Sequence, residues 1–140
     1  MARTEPPLNP ARLVAGLACA GIAGAVLLRR FDPSRPGSGL PPCPFHWATG
    51  LYCPGCGATR AMHALVHFDL AAALAMNPFL VLALPFIAVL LADFAGWWPA
   101  RWRLAHSGLL DARPWAVLVI AFWIARNLPW PPFAWLAPGA

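Results

Sequence analysis

The chain has 140 residues, 60% of them hydrophobic and only 11% charged, less than half the charged share of an ordinary soluble domain, about 25%. Its ten basic residues are all arginine and outnumber five acids, for a net charge of +5. Scattered beside apolar segments rather than clustered, they suit lipid headgroups and argue against a nucleic-acid partner. A chain this short makes one domain, and its seventeen prolines and eight tryptophans fit kinked membrane spans with interfacial aromatics.

Residues 1–10 are polar and proline-bearing, a short tail. A first transmembrane helix is expected over 11–28. Its apolar run, Leu13 to Leu28, outruns a signal-peptide core and continues past Ala18-Cys19-Ala20, which predicts a retained anchor rather than a cleaved leader. Gly16, Ala20 and Gly24 share one face, a spacing that lets another helix approach. Residues 29–58 form a linker and Cys/His motif. The prolines between Pro33 and Pro44 exclude a regular helix over 29–44. Short helices are expected over 59–76, with Thr59 and Asp69 as caps.

Residues 77–96 read as a second transmembrane helix, with Asn77 as cap, Pro78 in the first turn and Pro85 as a kink. No charge occurs from Leu70 to Ala92; the Asn77-Pro78 break divides this stretch into a short surface helix and a span. A loop follows over 97–113, with Trp97, Trp98 and Trp102 as an interfacial belt. A third transmembrane helix is expected over 114–128, roughly 22 Å long at 1.5 Å per residue, ahead of an aromatic, proline-rich tail over 129–140. The predicted fold is all-α: an integral, multi-pass membrane protein with about three transmembrane helices. A Cys-rich loop and short helices lie between the first and second spans. The cell membrane is its expected location and the lipid bilayer its first partner, with a membrane-protein partner or a second copy as further candidates. The arginines divide five against five across the expected spans, so the positive-inside rule assigns no orientation.

Chemistry concentrates in one stretch, Cys53-Pro54-Gly55-Cys56-Gly57-Ala58-Thr59-Arg60. Proline and glycine between two cysteines force a turn. Cys43 and His46 repeat the same two-residue gap, so the layout is Cys-x2-His followed by Cys-x2-Cys. Two closely spaced pairs of soft or borderline ligands suit tetrahedral zinc, which makes Cys43, His46, Cys53 and Cys56 the candidate metal ligands. Two other readings stay open: a thiol–disulfide redox pair at Cys53 and Cys56 with Cys43 as a third thiol, and a turn that is structural only. No surrounding α/β pattern supports a thioredoxin-like enzyme, and a non-enzymatic role is expected. Cys19 lies apart, as a small apolar residue of the first span.

Arg60, His63 and His67 fall on one helical stripe beside the cysteine turn, able to meet an anion, a proton or a metal, or simply headgroups. Asp69 caps or pairs with Arg60. Arg126 interrupts apolar sequence near the end of the third span, where it snorkels or turns inward to an acid or carbonyl. Gly57, Thr59, Arg60, His63, Asp69, Asn77 and Arg126 complete the candidate functional set.

Cys43-Pro44-Phe45, Thr49-Gly50, the Cys53–Arg60 block, Asp69, Asn77-Pro78 and Arg126-Asn127 together resemble a bacterial family of small membrane proteins of unknown function carrying the signature CPGCG-x-TR. The resemblance covers about residues 40–130. It implies the membrane fold and the cysteine site and names no substrate. One departure is Phe68, where the family carries glycine before the aspartate.

Overall fold

A computed structural model describes residues 10–35, 43–97 and 111–138. Among these residues every regular element is helical, and no strand occurs. Six α-helices follow in order: α1 (Pro10–Arg30), α2 (Pro44–Thr49), α3 (Ala58–Val66), α4 (Leu70–Met76), α5 (Pro78–Phe94) and α6 (Ala112–Ala125). A 3₁₀ turn, Phe133–Leu136, ends the described chain.

Helix α1 runs through Arg30 into the expected linker, because no proline occurs between Pro10 and Pro33. Of the three helices read as spans, α1 alone is long and apolar enough to cross a membrane. Helices α4 and α5 pass that test only as a pair bent by 111°. The bend falls at Asn77-Pro78, as the sequence suggests: Asn77 Oδ1 accepts the Leu80 amide at 3.0 Å, and proline fills the first turn of α5. Helix α6 has 14 residues, about 21 Å of rise against a hydrocarbon core of ~30 Å. Phe79 stacks on Phe122 at 5.1 Å and Phe86 on Trp115 at 4.4 Å. The matching step of seven residues on both helices sets α5 and α6 antiparallel. Outward-facing apolar side chains are abundant: Ile22, Leu82 and Val117 are 65%, 71% and 65% exposed. A water-facing surface rarely carries this much apolar area.

At Gly16 and Gly24 the small-residue face of α1 has no close neighbour among the described residues: a Cβ built on either meets nothing within 4 Å. The C-terminal end of α1 docks on α3. Arg29 Nε donates to Val66 O at 3.0 Å, and His63 Nδ1 lies 2.7 Å from Leu28 O. Helices α3 and α4 pack through alanine, with Ala61 and Ala73 both fully buried. Side chains this small let helix backbones come close.

The local signals differ from expectation at three points. A short helix, α2, forms inside the expected linker, since Pro44 occupies its first turn, where a missing N–H costs nothing. Thr59 is not the cap of α3; that position belongs to Gly57, in the left-handed region at φ 80°. Phe68 makes the turn before α4 despite its side chain, at φ 62°, and Asp69 caps α4 by accepting the Ala72 amide at 2.9 Å. Trp98, Trp102, Arg101 and Arg103 of the expected loop lie outside the described residues.

Candidate metal centre

The Cys53–Cys56 segment folds as a tight knuckle. The Cys56 amide bonds Cys53 O at 3.1 Å and the Ala58 amide bonds Gly55 O at 3.0 Å. Gly57 then turns the chain into α3. A Cβ on Gly57 would sit 2.5 Å from Met76 O and 3.2 Å from a carbon of Pro138, so position 57 needs glycine for both its φ and its space. Cys43 joins from the head of α2.

The three sulfurs meet. Cys53 Sγ lies 3.3 Å from Cys56 Sγ and 3.6 Å from Cys43 Sγ, and all three lie within 4.8 Å of one another. Zinc–sulfur bonds of 2.3 Å in a tetrahedron put sulfurs about 3.8 Å apart. The observed triangle is thus close to one face of such a site. The Cys53 amide also points at Cys56 Sγ, 3.2 Å away, the kind of outer contact that orients a thiolate ligand.

The thiols are electrostatically unequal. The His46 amide at the head of α2, aided by the Cys56 thiol, holds Cys43 down to about 7. This contact is electrostatic rather than a well-formed cap hydrogen bond. Burial pushes Cys56 up to about 12, with the neighbouring Cys53 thiol adding to it. A metal ion would displace the proton from either, since a coordinating thiol is deprotonated outright.

His46 does not join the cluster of ligand atoms within 4.8 Å. Its ring stacks on Tyr52 at 4.5 Å and 9°, and its buried Nδ1 has no hydrogen-bond partner among the described residues. Cys19 stands apart in α1, exposed.

The knuckle is held from behind by residues far along the chain. Arg126, 1% exposed, donates from Nη1 to Cys53 O at 3.0 Å and Pro54 O at 3.1 Å, and from Nη2 to Cys56 O at 3.1 Å. Asn77, also 1% exposed, donates Nδ2 to Pro54 O and Cys56 O at 3.0 and 3.2 Å. Asn127 accepts the Tyr52 amide at 2.8 Å and donates to Tyr52 O at 2.9 Å. Together with the two turn bonds, these satisfy the carbonyls of residues 52–56. Of the two fates open to Arg126, the inward one is realised, toward carbonyls; among the described residues no carboxylate pairs with it. Its guanidinium also lies 4.9 Å from the Phe122 ring and 5.9 Å from the Tyr52 ring.

The Arg60 stripe does not reach the cysteines as a unit. Arg60 and Thr59 are exposed, and Asp69 is engaged at the cap of α4 rather than with Arg60. The His63 and His67 rings lie 4.5 Å apart, tilted by 32°. His63 Nε2 lies 3.8 Å from Asp32, so this pair belongs to the α1–α3 junction. The clamp residues missing from the sequence-derived set are Asn127 and Tyr52. The Arg126-Asn127 pair closing an apolar run was the available signal for Asn127. Tyr52 carried none, because its part is played by backbone atoms and a ring face.

Over residues 43–91 the chain matches the model of a family described as a protein of unknown function, DUF2752. The match begins at Cys43 and takes in the three clustered cysteines and Asn77, while Arg126 and Asn127 lie beyond it. No curated protein and no solved structure matches the chain.

Proposed function

We propose that this chain is a small, three-span integral membrane protein that binds one metal ion, zinc by its donor set, through Cys43, Cys53 and Cys56. The observation that carries this reading is the triangle of sulfurs within 4.8 Å of one another. Soft thiolates in near-tetrahedral spacing favour zinc over the harder magnesium and calcium. His46 is the proposed fourth donor, on the Cys-x2-His spacing and on a buried Nδ1 that lacks a partner. The clamp by Arg126, Asn77 and Asn127 gives a second shell of the kind that fixes ligand geometry. The ion's role on this reading is to bind and organise rather than to catalyse. The CPGCG-x-TR resemblance supports the membrane reading, and the family match over 43–91 spans all three clustered cysteines.

Protein purified without chelator should carry about one zinc equivalent per chain, measured by elemental analysis. Cys53→Ser and Cys56→Ser should each abolish it, since a hydroxyl is a far poorer ligand than a thiolate. His46→Ala should weaken binding less, with water taking the fourth position. Folded protein that contains no metal would reject the proposal.

A further inference from the structure

Cys53 is the middle sulfur of the cluster, at 3.3 Å from Cys56 and 3.6 Å from Cys43. It makes the two closest sulfur–sulfur approaches, while Cys43 and Cys56 lie within 4.8 Å of each other. A disulfide needs 2.03–2.05 Å between sulfurs, so either bond forms by a closure of roughly 1.3–1.6 Å. The three thiols also grade inward: Cys43 and Cys53 are half-buried, whereas Cys56 is 7% exposed. Cys43 stands on a separate helix, outside the knuckle that the clamp immobilises.

We propose that the cluster is also a thiol–disulfide exchange site of fixed order, in which Cys43 receives a small-molecule disulfide, Cys53 relays and Cys56 closes the final bond. In the first step the Cys43 thiolate attacks one sulfur of the incoming disulfide. A Cys43–substrate bond forms, the substrate's S–S bond breaks, and one substrate thiolate leaves. In the second step Cys53, its proton lost to solvent, attacks Cys43 Sγ. This makes a Cys43–Cys53 disulfide and expels the second substrate thiolate. The incoming disulfide has then gained two electrons and become two thiols, and two protein thiols have been oxidised. In the third step Cys56, likewise deprotonated, attacks Cys53 Sγ and returns Cys43 to the thiolate. That isomerisation needs no further oxidant. The product is a Cys53–Cys56 disulfide, held by the clamp. The sulfurs are those of the proposed metal centre, and a loaded ion would lose two of its three thiolates.

The test uses the full chain in a Cys19→Ala background, stripped of metal by chelator and exposed to glutathione disulfide. Acid quenching and peptide mass mapping follow the products over time. The Cys43–Cys53 disulfide should appear before the Cys53–Cys56 disulfide, and Cys53→Ser should trap glutathione on Cys43. Cys43→Ser should slow formation of the Cys53–Cys56 bond by at least roughly tenfold, since the thiol that receives the incoming disulfide is lost. Glutathione trapped first on Cys53 or Cys56, an unchanged rate in Cys43→Ser, or inert thiols would overturn the proposal. The time course of the unsubstituted cluster decides the order even if a serine variant fails to fold. Inert thiols in a protein that binds zinc would leave the metal reading standing. Ordered exchange in a protein that never carries metal would remove that reading and leave this one.

Discussion

At the scale of single residues, the chemistry rests on three identical thiols made unequal by their surroundings. Cys43 is held down to about 7 by the His46 amide, and Cys56 is pushed up to about 12 by burial. The thiolate is the reactive form, so a lowered value brings reactivity into the neutral range and a raised one slows it. Metal-free protein should therefore be alkylated by iodoacetamide at Cys43, with a rate that rises as pH passes through about 7. Cys56 should stay unmodified across the same range. Mass mapping of each thiol against pH checks this, and equal labelling of the two would contradict it. Two arginines make the complementary contrast. Arg126 spends its planar fork on three loop carbonyls, and an ammonium cannot reproduce that geometry. Arg126→Lys should cost about 2–4 kcal/mol of stability, whereas Arg60→Lys, at an exposed position, should stay within about 0.5 kcal/mol. Thermal unfolding in detergent reads both.

At the scale of elements, the site is a junction between a turn and three helix ends. Helix α2 supplies Cys43, and the knuckle supplies Cys53 and Cys56 and passes through Gly57 into α3. The α4–α5 bend supplies Asn77. Gly57 is the tightest of these joints. Gly57→Ala would force a left-handed side chain and set a methyl against Met76 O. It should destabilise by about 2 kcal/mol or more, with metal retention falling alongside; a variant as stable as the parent would refute the crowding. Caps at this scale are legible in the sequence. Asp69 and Asn77 act where residue type and spacing place them, because a cap needs only its own side chain and amides three positions on. Thr59 failed as a cap for an equally local reason: the preceding glycine already closes the turn.

At the scale of the whole molecule, apolar helices face outward, and the cysteine cluster sits where α5 begins and α6 ends. Should all three helices cross, α6 must thin the bilayer or borrow length from the Trp130–Leu136 segment. On this architecture the chain should stay in the membrane pellet through an alkaline carbonate wash, as immunoblotting of the fractions would reveal. Release into the supernatant would refute it. The exposed Trp130 and Trp135, 55% and 70% accessible, suit an interfacial position beside the site.

What the amino-acid sequence determined by itself was whatever depends on neighbours a few positions apart. That covers the apolar helices, the caps at Asp69 and Asn77, the break before Pro78, and the tight turn at the paired cysteines. Tertiary structure alone decided which of those residues meet. His46 has the right spacing to ligate, yet its ring stacks on Tyr52. Arg60 is four residues from Cys56 and faces away, whereas Arg126, some seventy positions on, grips the knuckle. The physical reason is that Nη1 and Nη2 of the buried guanidinium pair with whatever acceptors the returning chain presents. Those acceptors are backbone carbonyls, which every residue carries, so no residue type marks them in advance. Only the antiparallel return of α6 along α5 brings Arg126 and Asn127 back to the turn that Cys53 and Cys56 define.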